Sequence, residues 1–149
     1  MENTISFNTK FGWISASEKD NKITKIQFKR VRVKGNFTKN LKKLRKIIEL
    51  YFEKKIEKIE VQVKIDGNFM QKKIWNETKK IKKGKTKSYG EIAKKLKISP
   101  RYVGRVCGEN QHVLFIPCHR VVRSDGSLGG FSAPNGQKLK GKLLKFEKN

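Results

Sequence analysis

The chain has 149 residues, with 37 Lys+Arg against 13 Asp+Glu and a formal net charge of +24. Hydrophobic residues at 36% and 12 glycines are enough for a real core, which excludes wholesale disorder and predicts one compact domain or two small lobes. Two cysteines exclude a disulfide scaffold, no run approaches the roughly 20 apolar residues of a membrane span, and Met1-Glu2-Asn3-Thr4 lacks the basic start and apolar run of a secretory signal. The expectation is a soluble, cytoplasmic, strongly basic globular protein.

The first part reads as strand-rich. Phe11-Gly12-Trp13-Ile14-Ser15 and Thr24-Lys25-Ile26-Gln27-Phe28 predict short strands around a turn at Lys19-Asp20-Asn21-Lys22, and Val31 and Val33 continue the period of two. Thr38 is placed to cap a helix whose apolar stripe is Leu41, Leu44, Ile47/Ile48 and Tyr51/Phe52. The same stretch, Lys39 to Glu53, has the form of a basic amphipathic membrane-surface helix, but packing on a core is the simpler use of its stripe. Ile59, Val61, Val63 and Ile65 alternate with polar residues and predict a half-buried strand. Asp66-Gly67-Asn68 then punctuates the chain, and a boundary there divides a lobe at 1–66 from one at 67–149.

From Phe69 the pattern is helical through Met70, Ile74, Trp75, Thr78 and Ile81, with Gly84 as a stop. Ser88-Tyr89-Gly90-Glu91 has the form of a capping box opening a helix through Ile92, Ala93 and Leu96. Ser99-Pro100 opens a second, running Arg101-Tyr102-Val103-Gly104-Arg105-Val106-Cys107 to Gly108. Two short helices joined by a few residues, the second basic, form a helix-turn-helix pattern. A purely structural hairpin has the same pattern, but Arg101, Arg105 and the +24 charge favour nucleic acid. The lysines themselves are spread from Lys10 to Lys148, as a solvated surface also requires.

Leu114-Phe115-Ile116 predicts a short buried strand that delivers Pro117-Cys118-His119-Arg120-Val121-Val122. A cysteine beside an imidazole and a guanidinium has the setting of an activated nucleophile, although most free cysteines are small buried hydrophobes. In an extended segment Cys118 and His119 point to opposite faces, so a bridging water or a local turn is needed to couple them. Glu147, Glu109, Glu91 and Asp125 are the acids left open to orient the imidazole. Zinc is the rival use of Cys107, His112, Cys118 and His119, but no CxxC or HxxxH pairing exists. Gly126-Ser127-Leu128-Gly129-Gly130-Phe131-Ser132 lacks a phosphate-binding motif and suits close backbone approach to a ligand, or a flexible connector. Leu139, Leu143, Leu144 and Phe146 mark a closing helix that ends near Glu147.

The segment Ile116-Pro117-Cys118-His119-Arg120-Val121-Val122 resembles the acceptor-cysteine signature of the O6-alkylguanine-DNA alkyltransferases. Phe69 to Trp75, Ser88-Tyr89-Gly90-Glu91-Ile92-Ala93, Arg101-Tyr102-Val103-Gly104 and Gly129-Gly130-Phe131-Ser132 are similar to further motifs of that family, and the part before Asp66 is similar in pattern only. The resemblance implies a mixed α/β fold: an RNase H-like N-terminal lobe and a mainly helical, winged helix-turn-helix C-terminal lobe. It implies single-turnover transfer of an alkyl group from O6-alkylguanine in duplex DNA to Cys118 after base flipping, with His119, Glu147 and Tyr89 as further catalytic residues. Arg101, Tyr102, Arg105 and Ser99 are then the DNA-binding and flipping residues. Asn110, Val121, Gly129, Gly130, Ser132 and Cys107 form the base pocket and hinge. No cofactor, metal or membrane is implied, and the protein is expected to be a monomer in solution. Cys107 departs from the apolar residue common there, and Asn110-Gln111-His112 lacks the usual Asn-Pro pair. The competing functions are a lesion sensor that does not react, a helix-turn-helix DNA binder and a cysteine hydrolase.

Overall fold

The computed structural model describes residues 1–149. In chain order the elements are β1 (Asn3–Thr9), β2 (Gly12–Lys19), β3 (Lys22–Gln27), α1 (Lys39–Phe52), α2 (Phe69–Lys79), β4 (Lys87–Ser88), α3 (Tyr89–Leu96), α4 (Pro100–Gly108), a 3-10 turn (Cys118–Arg120), β5 (Val121–Val122) and α5 (Gly136–Lys148). They fall into two compact units, Met1–Asp66 with Gln111–Phe115, and Gly67–Asn110 with Ile116–Asn149.

The first unit is an antiparallel sheet in the order β1-β2-β3. Its register places Ile5 beside Ala16, Phe7 beside Ile14, and Ala16 beside Ile26, so one face is apolar. Asp20 and Asn21 both have positive φ, the conformation a tight two-residue hairpin requires and short polar side chains tolerate. The motif reading missed β1, because Thr4 and Ser6 interrupt its apolar residues. These belong to the opposite face, where Thr4 Oγ1 lies 2.9 Å from Ser17 Oγ and Ser6 Oγ donates to the Val31 carbonyl. Thr38 caps α1 by accepting from the Leu41 N–H, and Leu41, Leu44, Ile48 and Tyr51 are buried.

Three expected strands are absent, each because too few backbone partners exist to extend a ladder. Val31–Lys34 makes a single bridge, between Thr4 and Lys34, and Val33 is 60% exposed. At 59–65 one bridge joins Val63 to Ile23. Near 114–116 the φ of +72° at Leu114 ends any extension, although Leu114 and Ile116 are buried as expected.

In the second unit, α2 is opened by Asn68 and Gln71, whose side chains accept from each other's N–H at 2.8 Å. That reciprocal capping box was expected at Ser88–Glu91, where only the Ser88 half is present. Lys97, at φ 60°, ends α3, and Ser99 caps α4 by accepting from the Tyr102 N–H at 3.1 Å. β4 and β5 pair in parallel, Lys87 with Val121 and Ser88 with Val122.

Leu44→Ala is expected to cost about 3 kcal/mol, because Leu44 is fully buried beneath the first unit's sheet. Val33→Ala is expected to change stability by less than about 0.5 kcal/mol. Urea unfolding of both variants checks the contrast, and equal losses contradict the assigned packing.

Candidate functional site

A cavity of about 760 Å³ in the second unit is lined by Cys118 and Cys107 together with Tyr89, Arg101, Phe131 and Ser132. Both cysteines are free and buried, and both stand in the wall of this one cavity. The local backbone explains how adjacent residues reach one site. The chain turns at 118–120 instead of extending, with Cys118 N–H donating to Ile116 and Arg120 N–H to Pro117. Cys118, His119 and Arg120 are all buried in that turn.

The turn is fixed by one carboxylate. Among the four acids that spacing left open, Glu147 is the partner: its Oε2 lies 2.9 Å from His119 Nε2, and Arg120 donates to both its oxygens at 2.8 and 2.9 Å. Glu109 instead accepts from Gln71, and Asp125 from Ser127. Burial pushes the Glu147 carboxyl up, but the hydrogen bonds from His119 and Arg120 outweigh it and hold the group far below the usual carboxylate range. Arg120 also donates to the Ile81 carbonyl at 2.7 Å. The guanidinium expected beside the thiol is therefore committed to the carboxylate.

Burial draws the His119 pKa below the ordinary imidazole value in spite of Glu147. A carboxylate can only accept, so the neutral ring carries its proton on Nε2 and leaves the Nδ1 lone pair free; Nδ1 is buried with no partner in the protein. Such a ring can take a proton.

Lys140 on α5 is fully buried, and Nζ donates to Tyr89 Oη at 3.1 Å and to the Gly130 carbonyl at 3.0 Å. Desolvation lowers its pKa to about 8, and burial raises that of Tyr89 to about 12. Gly129 has φ +75°, and a Cβ there would stand 2.9 Å from Tyr89 Oη, so the loop can pass the ring only with glycine. The Ser132 hydroxyl is buried with no partner in the protein. Asn110 Nδ2 donates to the Ile116 carbonyl at 2.8 Å, clasping the base of the 111–115 excursion. Val121 is fully buried in β5.

The structure thus gathers Cys118, Cys107, Tyr89, Arg101, Gly129, Gly130 and Ser132 around one cavity, with His119 and Glu147 hydrogen-bonded behind Cys118. Tyr102, Arg105 and Ser99 do not line it. The Arg105 guanidinium lies over the Tyr102 ring at 4.8 Å, and the Ser99 hydroxyl is used as a cap. No three His, Cys, Asp and Glu side chains gather as a metal-holding group. Sequence reasoning missed Lys140 and the clamp role of Arg120. The available signal was spacing: Lys140, Leu143 and Glu147 share one helical stripe, so two charged residues occupy core positions.

Glu147→Gln is expected to destabilise the protein by about 3 kcal/mol at pH 7, since Arg120 loses its buried counter-charge. The folded pKa of Glu147 lies below its ordinary 4.5, so its stabilising contribution is present above about 4.5 and is lost as pH falls through the folded value. Urea unfolding from pH 7 down to pH 3 should therefore show the gap between the two proteins narrowing. A constant gap contradicts the assigned ionisation.

The family model described as 6-O-methylguanine DNA methyltransferase, DNA binding domain, matches residues 69–149. The methylated-DNA–protein-cysteine methyltransferase of Metallosphaera sedula is 33% identical over 144 residues, covering 95% of this chain and 90% of that protein. That of Sulfolobus acidocaldarius is 43% identical over 97 residues, 65% of this chain, and the match spans 61% of that relative's length. In structure, the O6-methylguanine methyltransferase of Mycobacterium tuberculosis superposes with a TM-score of 0.88 at 23% identity, covering 99% of this chain and 93% of that one, a likeness of fold. The chain has the mixed α/β fold of these proteins and belongs to the methylated-DNA–protein-cysteine methyltransferase family.

Proposed function

We propose that this protein repairs DNA by direct reversal, moving the alkyl group of O6-alkylguanine irreversibly to the Cys118 sulfur. The observation that carries the reading is the buried Cys118 in the wall of a cavity with room for a base, with a neutral, carboxylate-oriented imidazole next to it in the chain. Cys118 is 3% exposed, so a base inside a duplex cannot meet it, and the damaged nucleotide must leave the stack. In this reading residues 67–149 act as a winged helix-turn-helix DNA-binding and acceptor domain, and 1–66 as an RNase H-like lobe. Arg101, exposed at the start of α4 and at the cavity wall, fills the gap left by the flipped nucleotide. Arg105, Tyr102 and Ser99 face the DNA backbone. Tyr89 stacks on the purine, while backbone at Val121 and the Ser132 hydroxyl read its edge. Asn110 holds the turn and α4 together.

The chemistry follows from the hydrogen-bond polarity. His119, its Nε2–H held by Glu147, accepts the Cys118 proton at Nδ1 through a water. The sulfur attacks the alkyl carbon, an S–C bond forms, and the C–O6 bond breaks with its electrons leaving on guanine. Tyr89 supplies the proton that neutralises the base, and the Lys140 ammonium at its oxygen stabilises the tyrosinate so formed. A thioether offers no good leaving group, so each molecule reacts once. Binding of undamaged duplex rests on the +24 charge and counterion release.

Cys118→Ala is expected to keep DNA binding and abolish transfer, measured with a duplex carrying a radiolabelled methyl group; surviving transfer contradicts the acceptor assignment. Arg101→Ala is expected to slow reaction on duplex DNA at least tenfold more than reaction on free O6-alkylguanine, roughly the 1.4 kcal/mol of one flipping contact. Equal losses on both substrates contradict its role. Affinity for undamaged duplex should fall steeply with salt, and a flat response contradicts the electrostatic account.

A further inference from the structure

Two basic side chains stand in the cavity wall, Arg101 and Arg123, and no carboxylate lines it. The proposed reaction gives Arg101 a place and leaves Arg123 without one. Resting on that reaction, we propose that Arg123 is a substrate-binding residue: its guanidinium takes the phosphodiester next to the extruded nucleotide and holds the base towards Cys118.

The wall is graded from floor to rim. Cys118 and Cys107 are buried, Tyr89 and Ser132 are half-buried, and Arg101 and Arg123 are exposed. The two guanidiniums therefore stand where the cavity meets solvent. A nucleotide turned out of a duplex stays bonded to its strand through a phosphate on each side, so its base enters the cavity while a phosphate stays at the rim. Filling the gap in the stack commits Arg101 to the duplex, and Arg123 is the cation left to meet that phosphate.

The Arg123 guanidinium is uncommitted. It forms no ion pair, and the hydrogen bonds of this residue are made by its backbone: the N–H donates to the Ser127 carbonyl, and its carbonyl accepts from the Gly126 N–H, both at 2.9 Å. Asp125, the acid nearest in sequence, accepts at Oδ1 from the Ser127 N–H and hydroxyl at 2.9 and 2.7 Å. Arg120 shows the contrast, being buried and held by Glu147 and the Ile81 carbonyl. An exposed guanidinium, a fork of five N–H donors, matches a phosphate that accepts two parallel bonds.

The mount is short and ordered. Arg123 directly follows β5, β5 follows the turn that holds Cys118, and β5 pairs with β4, which leads into Tyr89. The bonds at 123–127 close the next turn, with Gly126 at φ +88°. The Arg123 charge lowers the pKa of Tyr89, in the cavity wall, and of Lys140, bonded to that tyrosine. The group that holds the phosphate and the sulfur that attacks thus share one stretch of fixed backbone.

The test is single-turnover methyl transfer to Cys118, followed by peptide mass in the full chain. The substrates are free O6-methylguanine and duplexes with one O6-methylguanine, whose linkage on each side of the lesion is in turn a phosphodiester or an uncharged methylphosphonate. Arg123→Ala is expected to slow transfer from the phosphodiester duplex about tenfold more than transfer from the free base, the scale of one charge-assisted hydrogen bond. Arg123→Lys, which keeps the charge and loses the fork, is expected to recover part of the loss. A methylphosphonate on one side of the lesion is expected to slow the wild type about tenfold and Arg123→Ala no further. Equal losses on free base and duplex, or methylphosphonates that slow both proteins alike, overturn the proposal. Wild-type protein that takes no methyl group from the phosphodiester duplex defeats the repair reading itself, whereas normal wild-type transfer with an unimpaired Arg123→Ala defeats this inference alone.

Discussion

A carboxylate buried from water must be met by donors or it will not stay ionised. Glu147 is met by three, one from His119 and two from Arg120. That one group ties the final helix to the turn at 118–120, and Arg120 carries the tie onward to Ile81, just beyond α2. The turn cannot relax into the extended strand that its apolar lead-in suggests without breaking these bonds. Cys118 is therefore presented to the cavity by a rigid clamp, and the same clamp fixes the tautomer that leaves His119 Nδ1 available.

The other side of the cavity is governed by desolvation. Lys140 is a buried cation whose pKa falls to about 8; it donates to the Tyr89 oxygen, and its charge favours ionisation of the two thiols. The site thus holds an internal cation beside the tyrosine oxygen and both sulfurs. The surface lysines act differently. Their summed charge of one sign favours association with a polyanion.

Much of this was legible in the sequence wherever one residue type has one physical use. Thr38, Ser99 and the Leu41–Tyr51 stripe predicted helices that form, and Asp20-Asn21 predicted the hairpin. Reading failed where structure depends on partners distant in sequence. Val31–Lys34 and Ile59–Ile65 alternate as strands do, yet each finds a single bridge, because alternation in sequence does not supply a neighbouring strand. β1 was hidden because its polar residues serve a second packed face. For the site, the motif located Cys118 and His119; spacing left Glu147 as one of four acids, the family resemblance singled it out, and the fold sets it 2.9 Å from His119. Lys140 carries no motif; its part emerges only from its burial and its bonds to Tyr89 and Gly130.

The most direct test of the central claim is the intact mass of the protein, with peptide mapping, after incubation with duplex DNA bearing one O6-methylguanine. The account predicts a gain of one methyl group on the Cys118 peptide, saturating at one per molecule. Unchanged mass with lesion-selective binding would make the protein a sensor, and unchanged mass with no lesion preference would leave a basic DNA-binding protein; either result contradicts it.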